Sequence, residues 1–169
     1  GVIRVEPREL PTTPIIGGEF TANGFTNNRQ GAASVLLEGG IPSVEGMGWR
    51  VQASGRKAGN SETREYWLGN TGFEELNASA ALGYATEDYT IKGYYSHFGT
   101  SLGVYFGSHF GNQDDLMRAI TAGRPLTEYD FSYTIAGPKQ VIAHDLWTVN
   151  ATYRLSDAWK IESQYGYQV

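Results

Sequence analysis

Trp147, Val149, Ala151 and Tyr153 alternate with Leu146, Thr148, Asn150 and Thr152. After Leu155-Ser156-Asp157-Ala158, Trp159, Ile161, Tyr165 and Tyr167 alternate in turn with Lys160, Glu162, Gln164 and Gln168. Successive side chains of a pleated chain point to opposite faces, so this period of two predicts a β-hairpin with one greasy and one polar face. Pairing Tyr153 with Trp159 places Ala151 across from Ile161 and Trp147 across from Tyr165, which keeps the apolar side chains together.

The same pattern recurs upstream. Ile16, Phe20 and Ala22 alternate with Glu19, Thr21 and Asn23, and after a polar turn at 26–30 the set Ala33, Val35 and Leu37 alternates with Ser34 and Glu38. Trp49, Val51 and Ala53 stand against Arg50, Gln52, Ser54 and Arg56. Leu76, Ala78, Ala80, Leu82 and Tyr84 share one face of the next strand. Tyr89, Ile91, Gly93 and Tyr95 return after the turn 85–88, with Tyr84 expected opposite Tyr89. Within the span 99–140 the alternation breaks. There Asn112 is placed to cap a short helix that carries Asp114 and Asp115 in its first turn and ends at Gly123 and Pro125. An extended segment is expected over 131–135.

Turn lengths sort by end. The turns 41–46, 85–88 and 155–158 share one end, whereas 26–30, 57–72 and 99–139 share the other. Short turns on one side and longer loops on the other, with strands of about 9–11 residues, describe an outer-membrane barrel. Tyr84, Tyr89, Tyr153 and Trp159 lie beside short turns, where one aromatic girdle belongs, and Trp147, Tyr165 and Tyr167 suit the opposite girdle. Asp145 shares the parity of Trp147, so it must lie beyond the hydrocarbon if the alternation holds there. The expected fold is all-β: antiparallel up-and-down strands forming an incomplete segment of a transmembrane β-barrel, with long extracellular loops and one short loop helix.

Composition narrows the reading. The chain has 169 residues, 13% aromatics including 11 Tyr and 4 Trp, and a mean hydropathy of -0.37. No run approaches the ~18 consecutive apolar residues of a membrane helix, a test that is blind to barrels. The absence of Cys excludes disulfide, thiol and Cys-zinc chemistry. A net charge of -5 without any basic run argues against nucleic acid as a partner. The start GVIRVEPREL carries no secretion signal, and together with the strand that stops at Val169 it suggests a fragment.

The segments Tyr66–Gly72 (YWLGNTG), 93–120 (GYYSHFGTSLGVYFGSHFGNQDDLMRAI) and 131–146 (FSYTIAGPKQVIAHDL) resemble TonB-dependent outer-membrane receptors of the Bacteroidetes type, in the family's order. Gly1-Val2-Ile3-Arg4-Val5-Glu6-Pro7 is similar to the last plug strand of that family. The resemblance implies an outer-membrane location in a Gram-negative cell, a barrel of about 22 strands occluded by a plug, and uptake of a metal-siderophore, cobalamin or glycan. It implies three partners: the extracellular ligand, the lipid bilayer, and the TonB complex, reached through plug residues that this chain lacks. Residues 1–8 would end the plug, 9–14 form a Pro-rich connector, and 15–169 supply roughly seven strands of the barrel's N-terminal part.

Chemical candidates are few. Gly99-Thr100-Ser101-Leu102-Gly103 matches the spacing of a hydrolase nucleophile, but extended sequence follows where a helix is needed. No catalytic, cofactor or resident metal site is expected, and the chain is read as a non-enzyme. His97, His109 and His144 are too widely spaced for a local chelate. His97, His109, Asp114 and Asp115 are the candidates for touching a solute in the upper lumen and loops. Arg50, Arg56, Glu75, Lys92, Lys160 and Glu162 on the polar faces are read as solvating the lumen or pairing with the plug. The sequons at Asn77 and Asn150 fall inside strands. A competing architecture is a soluble antiparallel β-barrel or sandwich with long ligand loops, its apolar faces turned inward.

Overall fold

Alternating sequences become ladders when neighbouring strands share a greasy face, and seven do so here. The structure, a computed structural model, describes residues 8–108 and 111–169. Strands β1 (Gly17–Phe25), β2 (Gln30–Gly40), β3 (Met47–Ala58), β6 (Phe73–Ala85), β7 (Tyr89–Gly103), β8 (Lys139–Ser156) and β9 (Trp159–Gln168) form one antiparallel sheet in that order. The connection after β3 holds a two-residue hairpin, β4 (Ser61–Glu62) and β5 (Trp67–Leu68). Between β7 and β8 lie a 3-10 turn, Phe106–Ser108, and helix α1 (Gln113–Ala122). Asn112 caps α1 by accepting from the Asp115 amide at 2.9 Å, and Gly123 closes it in the left-handed conformation. Residues 131–135, expected to be extended, join no ladder. The segment expected to end a plug, 1–8, lies outside the described residues except for Arg8.

Two hairpin registers differ from expectation. Tyr153 pairs with Ile161, Val149 with Tyr165 and Trp147 with Tyr167, two residues away from the register read off the sequence. The cause is an irregularity between Arg154 and Ser156, which lets β8 run on to Ser156 and shortens the turn to Asp157-Ala158. Similarly, Tyr84 pairs with Ile91 rather than Tyr89, because Thr86 and Tyr89 close the turn between themselves: the Thr86 amide donates to the Tyr89 carbonyl at 2.8 Å. A slip of two preserves parity, so both faces survive intact. The Tyr84 and Tyr89 rings still meet, with centroids 5.5 Å apart.

The three short turns are closed by the pairs Gly40–Gly48, Ala85–Thr90 and Ser156–Trp159. Traced through the intervening ladders, these pairs step down the sheet by about six residues of register over four strand spacings. At ~3.3 Å per residue and ~4.8 Å per strand, a line through the turns crosses the strands at about 45°. Above that line the strands lengthen from 9 residues in β1 to 18 in β8.

One sheet has nothing of its own against which to bury its greasy face. Among the described residues Ala58 is the sole buried apolar side chain, whereas Phe20, Leu76, Trp159 and Tyr165 are each about two-thirds exposed or more. A sheet needs a second layer over such a face, and the described residues provide none. A test of the register is cross-linking of cysteine pairs. Val149→Cys with Tyr165→Cys should form a disulfide readily, their Cβ atoms being about 5 Å apart. Val149→Cys with Ser163→Cys should not, and the reverse outcome would restore the register expected from alternation alone.

Candidate functional site

The polar face carries the first assembled feature, a strap across its short-turn end. Gly40, Gly48 and Gly83 are cross-strand neighbours in β2, β3 and β6, and their missing side chains leave a trough. Residues 10–13 lie in it: the carbonyls of Thr12 and Pro11 crowd the places where Gly40 and Gly48 would carry a Cβ, and the Leu10 side chain covers Gly83. The Gly40 amide donates to the Thr13 carbonyl at 2.8 Å. Two residues along β3 from the trough, Arg50 donates from Nη1 to the Arg8 carbonyl at 2.9 Å and from Nη2 to the Glu9 carbonyl at 2.8 Å. Its Nε donates to Glu38 at 2.7 Å, and Arg8 pairs with the same carboxylate. A planar guanidinium serves three acceptors at once, a geometry that lysine lacks.

Above the strap the polar wall is amide and hydroxyl, with an ion pair near its upper edge, Arg56 to Glu75 at 2.7 Å. Gln52, Ser54, Asn77, Ser79, Tyr94 and Ser96 line a shallow cavity of about 330 Å3. Asn77 donates to Glu75 at 2.7 Å, but its own buried carbonyl has no donor among the described residues. A hydroxyl or water there would satisfy it. Lys160 and Glu162 pair at 2.7 Å further along the wall.

At the opposite end the loops are cross-tied into a cap. Buried Asn70, at φ 61, donates to the carbonyls of Val104 at 2.9 Å and Pro138 at 2.8 Å and accepts from the Ala136 amide at 2.9 Å. Asn60 likewise donates to the Asp130 carbonyl at 3.1 Å. Arg29 lies 4.1 Å from the Phe131 ring centre, while Tyr133 donates to the Arg29 carbonyl at 2.7 Å. Asn27 exchanges two bonds with the backbone of Glu62. Burial, then the phenols of Tyr66 and Tyr129 beside it, push the Tyr105 hydroxyl above the usual tyrosine range. Neither buried asparagine nor Arg29 stood out in the sequence. The asparagines reach backbone atoms up to 70 residues away, and Arg29 meets the Phe131 ring and the Tyr133 hydroxyl, relations that alternation does not encode.

The three solute candidates among the described residues, His97, Asp114 and Asp115, do not converge. His97 projects from the apolar face of β7, where its Nδ1 meets Asp145 at 3.0 Å, and Tyr95 donates to the same carboxylate at 2.7 Å. The parity of Asp145 therefore holds, and its charge is met by two donors. Asp114 is exposed on α1, and Asp115 pairs with Arg118 beside a cavity of about 280 Å3 lined by Phe106, Pro125, Leu126 and Tyr129. His109 lies outside the described residues. Among the described residues no three His, Cys, Asp or Glu side chains are grouped to hold a metal. Ser101 lies inside β7, so the sharp strand-to-helix turn of a hydrolase nucleophile is absent at that position.

Arg50→Ala should release the strap, read as at least about tenfold faster hydrogen exchange at the Gly40 amide, equivalent to about 1.4 kcal/mol of local opening. Arg50→Lys should fail to restore protection, and a Gly40 amide unchanged in both variants would contradict the anchoring role. Compared with known proteins, the chain matches no family model, no curated protein and no solved structure.

Proposed function

We propose that the chain is a section of the wall of an outer-membrane β-barrel, from a receptor for TonB-energised uptake of a scarce solute. The observation that carries the wall reading is how outward-facing residues fall relative to the line through the short turns. By the register, Tyr84, Tyr89, Tyr153 and Trp159 lie within about 5 Å of that line, and Tyr95, Trp147, Tyr165 and Tyr167 about 15–22 Å above it. The polar pairs of the same face, Lys57–Glu74 and His97–Asp145, fall about 20–26 Å above it. Two aromatic belts with aliphatic residues between them, and ion pairs only at the upper belt, match the requirements of a tilted strand crossing hydrocarbon. The crossing angle of about 45° agrees with the tilt of such strands.

The receptor assignment rests on the resemblance of segments 66–72, 93–120 and 131–146. The strap supports it, because a chain arriving at Arg8 comes in on the polar face, where a plug would stand. Transported solutes of the family's kind, a metal-siderophore, cobalamin or a glycan, would meet the loop cap first and the amide and hydroxyl wall after it. Energy for uptake would come through the TonB complex by way of the plug.

The wall reading predicts opposite outcomes for arginine at adjacent positions of β3. Val51→Arg should weaken folding into phosphatidylcholine vesicles by about 2–4 kcal/mol, whereas Gln52→Arg should change it by less than about 1 kcal/mol. Equal costs at the two positions, or a compact monomer in buffer without detergent, would contradict the proposal.

A further inference from the structure

The turn between β1 and β2 places an arginine where glycine or asparagine fits best. Arg29 has φ 48, in the left-handed region that residues with a Cβ rarely adopt. Its backbone is tied on both sides: the amide donates to the Thr26 carbonyl at 3.3 Å, and the carbonyl accepts from the Tyr133 hydroxyl at 2.7 Å. The preceding Asn28 carbonyl accepts from the Gly59 amide at 2.9 Å, which fastens the turn to the end of β3.

The side chain is held as well. Its guanidinium carbon lies 4.1 Å from the Phe131 ring centre and 5.6 Å from that of Trp67, and these two rings meet edge to face at 5.1 Å. Tyr133 braces Phe131 in turn, at 4.9 Å. Ring faces attract the charge but leave the five N–H donors of a guanidinium without oxygen acceptors. Among the described residues no oxygen accepts a hydrogen bond from the Arg29 side chain, and no carboxylate pairs with it. By contrast, Arg118 and Arg124 of the same cap pair with Asp115 and Glu128. Strained backbone of this kind collects at ligand sites, where the surrounding structure holds it in place.

By the register, the turn stands about 22–24 Å above the line through the short turns, level with the Lys57–Glu74 and His97–Asp145 pairs. On the wall reading this height is in water, and a solute arriving from outside meets Arg29 before it meets the polar wall. We propose that Arg29 is an oxyanion contact of the loop cap, taking a carboxylate or phosphate group of the solute on the edge of its guanidinium. The identity of the anion as solute rests on the receptor reading, whereas the contact itself needs only the folded cap. A planar fork meets two oxygens of one oxyanion, a match that lysine does not reproduce. Because two rings already hold the fork, little of its freedom is left to lose on binding. The contact therefore favours an acidic solute over a neutral one.

The test is NMR of the whole chain in a neutral maltoside detergent, reading the Arg29 Nε–H and Trp67 indole signals. Citrate and inorganic phosphate should each shift both signals saturably, and glucose should shift neither. Arg29→Lys, which keeps the charge, should weaken citrate binding at least about tenfold. Arg118→Gln, which removes a charge elsewhere in the cap, should leave it unchanged. No saturable shift with either anion, an undiminished affinity in Arg29→Lys, or an equal loss in Arg118→Gln would overturn the contact. A response to added phosphatidylglycerol that citrate fails to compete away would assign the anion to lipid and overturn the solute. Insertion into phosphatidylcholine vesicles, followed by protease protection, reads the wall separately. A chain that inserts without binding citrate overturns only the contact, and one that binds citrate without inserting overturns the wall and, with it, the solute as the source of the anion.

Discussion

Everything in this molecule depends on parity: six consecutive antiparallel ladders gather most aromatic and aliphatic strand residues on one face, with Leu36, Phe98, Ile142 and Leu146 among those on the other. The hydrogen bonds of the ladders hold the backbone together without reference to what lies outside the sheet. The side chains are different, because a face bearing Phe20, Val35, Val51, Leu82, Val149 and Tyr165 has no partner layer among the described residues. Burying a side chain of this kind is worth about 1.5–3 kcal/mol, so a face made of many of them demands an apolar environment. On the proposed wall reading, a bilayer supplies it without a second sheet. The polar parity then takes the roles left over, holding the strap at one end and bearing a neutral wall above it.

The two ends of the sheet are finished by different means. At the short-turn end, backbone meets backbone across a trough of three glycines, and the Arg50 guanidinium fixes the strap through carbonyl oxygens that belong to no particular side chain. At the loop end, two buried asparagines and a cation over an aromatic ring tie segments distant in sequence. Each buried amide replaces several water contacts with protein carbonyls, and losing such a partner leaves a buried acceptor at a cost of about 1–3 kcal/mol. The loops are therefore a preformed surface rather than loose connections.

Much of the sheet was legible because alternation is a local signal. The strands, their order, the sorting of faces and the α1 cap at Asn112 could all be read from residue types and spacing. Exact register could not. The turn at Asp157-Ala158 depends on an irregularity at Arg154–Ser156, and parity cannot distinguish a register from one displaced by two. The site was less legible still. His97 was expected to touch a solute, and the ladder places it on the apolar face, where its ring meets Asp145. Asn70 matters through backbone partners, and Arg29 through the Phe131 ring and the Tyr133 hydroxyl, all brought near only by the folded loops. Gly83 lies far along the chain from Gly40 and Gly48, and the three become one trough when the ladders align them.

The central claim, that the apolar parity faces lipid and the polar parity faces water, is most directly tested by spin labels along β3 in phosphatidylcholine vesicles. Labels at Trp49, Val51 and Ala53 should be relaxed by oxygen dissolved in the hydrocarbon, and labels at Gln52 and Ser54 by a water-soluble nickel chelate, giving a period of two. If Trp49, Val51 and Ala53 were instead shielded from both reagents, the face would be packed against protein, and the account of this sheet as a membrane wall would be contradicted.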